Sequence, residues 1–131
     1  MPPDLQLHHC AKQITRGRLD FVLRLFEHLG CQIFYREEGA TWAMIGQAGL
    51  RFSIQFIECD RTPIPIELKR ENHVAFISSD PQQEMARIEQ WIKAEGKTIV
   101  TGSWSTKEHY FDCPDVFVDF VVEIMHRSIV E

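Results

Sequence analysis

The chain contains two halves that repeat one order of elements, and this duplication limits the folds open to it. Hydrophobic periodicity predicts a strand, a helix and then three strands in each half, and each predicted helix stops at a glycine, Gly30 or Gly96. The predicted helices cover 18–29 and 81–95, and the predicted strands cover 5–14, 32–36, 41–45, 50–57, 72–77, 97–101, 108–111 and 116–125. We therefore expect an α+β protein made of two βαβββ modules, at 5–58 and 72–126.

The two modules are predicted to be joined by a connector and to form one domain. The connector, 59–71, contains Pro63 and Pro65, which disfavour a central strand. A chain of 131 residues with 44% hydrophobic content can bury one core, so 1–131 is expected to be a single domain. The four cysteines form no CxxC motif and are expected to be reduced.

Charge and hydropathy exclude two classes of partner. Acidic residues outnumber basic ones by 19 to 14, and no basic stripe exists that could displace counterions from phosphates, so nucleic acid is not an expected partner. The chain has no apolar run of about 18 residues, so no membrane partner is expected either. A cytoplasmic protein is predicted.

Four polar residues interrupt the predicted strands at corresponding places in the two halves. In the first strand of each half, His9 lies 21 residues before Gly30 and His73 lies 23 before Gly96. In the last strand, Gln55 lies 25 residues after Gly30 and Glu123 lies 27 after Gly96. Because the offsets match to within two residues, the four side chains are predicted to serve one site.

The chemistry of these side chains favours a metal ion. A carboxylate within "FVVEIM" is costly to desolvate unless Glu123 is paired, protonated or bound to a metal. Two imidazoles, one carboxylate and one amide oxygen suit a divalent transition metal and leave positions for water or substrate. The predicted ligands are His9, Gln55, His73 and Glu123.

Alternatives remain at two of these positions, those of His9 and Glu123. His8 points to the opposite strand face from His9 and could be the ligand in its place; the spacing to Gly30 favours His9. Asp119 shares strand parity with Glu123 and could replace it. Glu123 could instead pair with Arg36 or Arg51, and Glu58, on the other face from Gln55, is expected to be solvated.

Three short motifs resemble the vicinal oxygen chelate superfamily, the glyoxalase and bleomycin-resistance group. They are "LFEHLGC", "HVAFISSDP" and "VVEIM", and the likeness extends over about 5–125. The resemblance implies curved, cup-like mixed sheets with the two helices on the outside, and metal ligands from the first and fourth strands of each module. It also implies a small-molecule substrate and pairing of the chain into a homodimer.

The resemblance implies a divalent-metal-dependent enzyme, an isomerase, epimerase or lyase acting on a small oxygen-chelating metabolite. Zn, Ni, Co, Mn and Fe are all possible metals. Glu123 is the one carboxylate among the predicted ligands, so it is also the predicted catalytic base, with Glu37 or Glu38 as a second base. Tyr35, Trp42, Trp104, His109 and Tyr110 are candidate pocket residues.

Two other functions are open at this stage. One is a metal-free protein that sequesters an aromatic ligand, as in bleomycin resistance, and would use Trp42, Trp104 and Phe111. The other is an Fe(II) extradiol dioxygenase, which would need His109 as an additional acid/base. Metal content separates the first of these from the enzyme hypothesis.

Overall fold

The computed structural model describes residues 3–131. Backbone contacts divide the chain into two compact units, the first ending at Cys59 and the second being Asp60–Glu131. The boundary falls at the start of the predicted connector. No helix within 3–131 has the length and apolar character needed to cross a bilayer.

The first unit is a four-stranded mixed sheet with one helix. Its elements are β1 (His9–Thr15), α1 (Leu19–His28), β2 (Gln32–Arg36), β3 (Trp42–Gly46) and β4 (Ser53–Cys59). The strand order is β1-β4-β3-β2. The first strand runs parallel to the fourth, and the other neighbours are antiparallel.

The second unit repeats this arrangement after a short helical turn. Its elements are α2 (Ile66–Lys69), β5 (His73–Ser78), α3 (Pro81–Ala94), β6 (Val100–Ser105), β7 (Glu108–Asp112) and β8 (Val121–His126), followed by a 3-10 turn, Arg127–Ile129. The strand order is β5-β8-β7-β6, again with the first strand parallel to the fourth. The predicted fold class, α+β with two mixed sheets, is confirmed.

One face of each sheet is covered by its helix. In the first unit, Ile14, Ala43, Ile45 and Phe56 are fully buried and share the face that packs against α1. The rings of Phe26 and Phe56 lie 4.7 Å apart between their centroids. Since side chains alternate along a strand, His9 and Gln55 lie on the other face of the sheet.

Helix α1 is capped from the sheet and not from its own sequence. The N-cap residue, Arg18, makes no side-chain cap, and the Leu19 amide donates instead to Glu58 Oε2 at 3.0 Å. A carboxylate at this end also opposes the positive end of the helix dipole. The expectation that Glu58 is solvated is therefore wrong, although the predicted strand face is right.

Helix α3 begins as the sequence predicts. Asp80 Oδ1 accepts a hydrogen bond from the Gln83 amide at 3.1 Å, and Pro81 occupies the first turn. The chain leaves the helix through Gly96, whose φ of +76° is a conformation that favours glycine. The buried face of α3 includes Met85, Ile88 and Ile92.

The first and last predicted strands are shorter than expected. Strand β1 begins at His9, and Leu5 and Leu7 precede it in exposed, irregular chain. Strand β8 begins at Val121, because the Val116 and Phe117 amides both donate to the Cys113 carbonyl and form a turn. The largely apolar residues 116–120, predicted as part of the last strand, belong instead to this turn and the segment after it, and most of them are buried. Asp119 thus lies outside β8, and its predicted parity with Glu123 does not apply.

A buried ion pair anchors α2 to the sheet of the second unit. Lys69 is 1% exposed and Asp112, in β7, is 2% exposed, with Lys69 Nζ 3.0 Å from Asp112 Oδ1. The ammonium also donates to the Phe117 carbonyl at 2.7 Å. Desolvation raises the pKa of Asp112, while the neighbouring ammonium opposes that rise. Lys69 therefore supplies the compensating charge for the buried carboxylate of Asp112.

Lys69→Met should therefore destabilise the protein by about 3–5 kcal/mol near neutral pH, because a buried carboxylate loses its partner. A carboxyl pKa that is raised in the folded state gives stability at low pH that is lost as pH rises through that pKa. The loss should accordingly be smaller at about pH 5 than at about pH 8, as measured by urea unfolding. Lys93→Met removes an exposed pair with Glu89 and should cost less than about 1 kcal/mol. Equal losses for the two variants would contradict this account.

Candidate functional site

Two of the four predicted ligands meet on the open face of the second sheet. His73 is the first residue of β5, Glu123 lies in the middle of β8, and His73 Nε2 is 2.8 Å from Glu123 Oε2. Glu123 is 4% exposed, whereas about a third of the His73 side chain remains accessible. The contact therefore joins a buried carboxylate to an imidazole that solvent can reach.

The hydrogen bonding of His73 determines what can occupy this contact. Its other nitrogen, Nδ1, lies 3.1 Å from the Arg70 carbonyl oxygen, which can only accept, so Nδ1 carries a hydrogen. In a neutral ring, Nε2 then presents a lone pair to the lone pairs of the carboxylate. Such a contact is favourable only when a cation, either a proton or a metal ion, lies between the two atoms.

The pKa of Glu123 reports the same environment. Desolvation by burial raises the pKa of this carboxyl, the nearby His73 lowers it, and the negative charge of Glu108 raises it again. Glu108 precedes Tyr110 by two residues in β7, and Tyr110 is the strand partner of Glu123, so the two carboxylates belong to one sheet face. Glu108 was not among the site residues predicted from the sequence. The feature that marks it is its position two residues before Tyr110 in "EHYFD", which puts the two side chains on one strand face.

The strand register repeats between the two units. In the first unit Ala11 pairs with Gln55, and in the second Ala75 pairs with Glu123. Each histidine precedes its alanine by two residues, so His9 and His73 occupy equivalent positions. The register therefore favours His9 over His8 as the counterpart of His73. The predicted duplication extends to the individual pairs of residues.

In the first unit, the candidate ligands are less closely associated. His9 Nδ1 lies 2.9 Å from His8 Nδ1, and Gln55 is half-buried on the adjacent strand. Within the described chain, 3–131, no group of three or more His, Cys, Asp or Glu side chains is placed to hold a metal ion. The contact between His73 and Glu123 is thus the part of the predicted site that the structure assembles.

The arginines considered as partners of Glu123 have other contacts within the first unit. Arg36 forms an ion pair with Asp20 on α1. Arg51 lines a cavity of the first unit. Within the second unit, the side chain that faces the Glu123 carboxylate is His73.

That cavity lies on the open face of the first sheet. Its volume is about 410 Å³, and its lining comprises His8, Phe34, Tyr35, Trp42, Met44, Arg51 and Ser53. The Tyr35 and Trp42 rings are stacked, with centroids 5.6 Å apart and planes at 21°. The cavity shares its face with Gln55, because Met44 is the strand partner of Gln55.

The other candidate pocket residues are distributed over both faces. Trp104 stacks beneath the Arg70 guanidinium, 5.0 Å from its carbon, and contacts Tyr110. His109 pairs with Ile124 and therefore faces away from Glu123, toward a cavity that also includes Met85 of α3. This placement removes the acid/base candidate that a dioxygenase reaction required.

Glu37, one of the predicted candidates for a second base, lies in the first unit and accepts a hydrogen bond from the Tyr35 hydroxyl.

The fold also occurs in solved structures of other proteins. No protein-family model and no curated protein matches the chain. The architecture matches solved structures of the glyoxalase and bleomycin-resistance kind, so the chain has the fold of the vicinal oxygen chelate superfamily. The predicted resemblance is confirmed at the level of fold.

Three solved structures illustrate the likeness. The fosfomycin resistance protein FosX from Listeria monocytogenes shares 19% identity at a TM-score of 0.58, over 95% of this chain and 92% of that one. The antibiotic binding protein TnmS3 from Streptomyces sp. CB03234 shares 16% at 0.59, over 96% and 98%. A glyoxalase/bleomycin resistance protein from the same Streptomyces shares 15% at 0.53, over 90% and 98%. A mutant of the Listeria FosX was solved with Mn(II) and 1S,2S-dihydroxypropylphosphonic acid.

Glu123→Gln should change how stability depends on pH. The folded protein raises the pKa of Glu123 above its usual 4.5, so its protonated form stabilises the fold at low pH and that stabilisation is lost as pH rises through the folded pKa. The unfolding free energy of the parent should therefore fall relative to Glu123→Gln as pH rises from about 4.5 toward neutrality. Urea unfolding across this pH range measures the difference in unfolding free energy between the two proteins. Glu71→Gln, at an exposed position, is the control. Parallel curves for parent and Glu123→Gln would be the contrary result.

Proposed function

We propose that this protein is a divalent-metal-dependent, glyoxalase-like enzyme, an isomerase, epimerase or lyase acting on a small metabolite that chelates through neighbouring oxygens. The observation that carries the proposal is the contact between His73 Nε2 and Glu123 Oε2, which requires a shared cation. His9 and Gln55 complete the proposed ligand set, because they occupy the equivalent register positions of the first unit.

The residues fit a transition metal. An imidazole whose Nδ1 hydrogen is held by a carbonyl oxygen presents Nε2 in the tautomer that metal-binding histidines use. His73 Nε2 and Glu123 Oε2, 2.8 Å apart, would be two of the atoms that hold the ion. The cysteine of the second unit, Cys113, is fully buried, and burial raises the pKa of its thiol, which disfavours the thiolate form that binds metals.

The nitrogen and oxygen donors favour Zn, Ni, Co, Mn or Fe over Ca, which prefers oxygen ligands alone. The Mn(II) bound by the Listeria FosX mutant supports a choice within this range. A metal at this position would polarise the chelating oxygens of a substrate and so lower the cost of removing a proton from the adjacent carbon.

Proton transfer is assigned to Glu123. Its Oε2 faces His73, which leaves Oε1 to accept a proton from a bound substrate. Burial raises the pKa of this carboxyl, and a base is more effective when its pKa approaches the working pH. Glu108 is a second carboxylate on the same face of the second sheet, where it accepts a hydrogen bond from the Ser105 hydroxyl, and it is the second base candidate of this unit.

A second candidate function has one observation in its favour. The stacked Tyr35 and Trp42 rings in the first-unit cavity suit a flat ligand, and TnmS3, which has the same fold, is an antibiotic binding protein. A sequestering protein of this kind would bind its ligand without metal. The requirement for metal therefore separates the two candidates.

The protein stripped with EDTA should bind one equivalent of Mn²⁺ or Zn²⁺ per chain in calorimetric titrations. His73→Ala and Glu123→Ala each remove a proposed ligand and should weaken binding by at least about 100-fold, since loss of an outer-shell partner alone costs 10–100-fold. His109→Ala is the matched control. His109 belongs to the same unit and also contacts a backbone carbonyl, that of Thr106, but it faces away from Glu123.

Unchanged affinity in the His109 variant, with loss in the other two, supports the proposal. A parent protein that binds neither metal refutes it and leaves the sequestering function. Equal weakening in all three variants would place the metal elsewhere.

A further inference from the structure

We propose that the open face of the first unit selects a flat, conjugated small molecule that carries an anionic group. The ring system would lie against Tyr35 and Trp42, and the anion would meet the Arg51 guanidinium. This inference rests on the proposed function for the chemistry that follows binding, but the binding itself needs only residues of the first unit.

The size and walls of the cavity set the scale of the ligand. A volume of about 410 Å³ lies within the range of small-molecule sites, about 300–1,000 Å³. Phe34, Trp42 and Met44 supply apolar surface, and Met44 is a flexible thioether that adapts to rings of different outline. The cavity therefore has the size for one drug-sized molecule.

The aromatic pair explains why the ligand should be flat. Tyr35 and Trp42 lie on neighbouring strands and their rings stack on each other with planes 21° apart, so a flat ligand placed on the outer face of this pair would extend the stack. The Tyr35 hydroxyl donates to Glu37, which fixes the orientation of the ring. Offset stacking on such a pair adds about 0.5–1.5 kcal/mol beyond the burial of area.

The charge of the lining explains why the ligand should be anionic. Arg51 forms no hydrogen bond or ion pair with any residue in the range 3–131. None of the described lining residues is a carboxylate, and His8 adds a ring nitrogen. An unpaired guanidinium beside an apolar wall presents a fork of donors to a carboxylate, phosphonate or sulfonate.

The position of the cavity connects this specificity to the proposed chemistry. Ser53, in the cavity wall, is the strand partner of His9, and Met44 is the strand partner of Gln55. A ligand held by Arg51 and the aromatic pair would therefore lie beside both candidate ligands of the first unit. The substrate class assigned to the enzyme is a conjugated carboxylate, phosphonate or sulfonate with neighbouring oxygens.

The test uses three probes of one shape and different charge, titrated by calorimetry into EDTA-treated protein. They are 2-naphthoate, 2-naphthalenemethanol and 2-naphthylmethylamine. The parent should bind 2-naphthoate at least about tenfold more tightly than the alcohol, and the amine least tightly. Arg51→Met should abolish this preference while retaining the affinity for the alcohol. Trp42→Ala should weaken the binding of 2-naphthoate and of the alcohol alike. Arg18→Met, at the start of α1, should change neither of these two affinities.

Three results would overturn the proposal. They are equal binding of the three probes by the parent, a preference for 2-naphthoate that survives in Arg51→Met, and no binding of any probe. The protein is free of metal in this experiment. A negative result with the probes is therefore distinct from a negative result in the metal titration. Binding of 2-naphthoate by a protein that takes up no metal would support this inference and refute the proposed enzyme.

Discussion

The parallel pairing of the first and last strands in each unit is the constraint on which the site depends. This pairing fixes a register, and the register decides which side chains share the face that the helix leaves open. In both units it places an alanine opposite the polar residue of the last strand, Gln55 or Glu123, and a histidine two residues earlier. A shift of one residue would turn either histidine toward the helix and bury it among apolar side chains.

Within that register, the environment of Glu123 favours a bound cation. The carboxylate is buried, with 4% of Glu123 exposed, so its charge is costly without a partner. His73 is the partner, and the Arg70 carbonyl fixes which of its nitrogens faces the carboxylate. Arg70 also lies over the Trp104 ring, which links the chain leading into β5 to the opposite edge of the same sheet. The backbone before β5 thereby holds the imidazole in one tautomer.

Much of this could be predicted from the sequence, and the exceptions have physical reasons. The glycine stops, the Asp80 cap and the matched spacing of His9, His73 and their partners are local signals, and the structure follows them. Lys69 and Asp112 could not be paired in advance, because Lys69 lies among other charged residues in "ELKRE" and the pattern there indicates neither its burial nor its partner. The segment 116–120 is apolar in either state, so its pattern could not separate a buried turn from a strand. The unpaired state of Arg51 depends on contacts between strands, which periodicity does not encode.

Imidazole nitrogen chemical shifts provide the most direct test of the central claim, that the duplicated register supplies equivalent histidines to one metal ion. In ¹⁵N-labelled protein, one equivalent of Zn²⁺ should move the ring signals of both His9 and His73, while those of His109, which faces away from Glu123, remain unchanged. The Nδ1 hydrogen of His73 should persist in the bound state, because the Arg70 carbonyl holds it. Movement of His73 without His9, or of neither, would contradict the account.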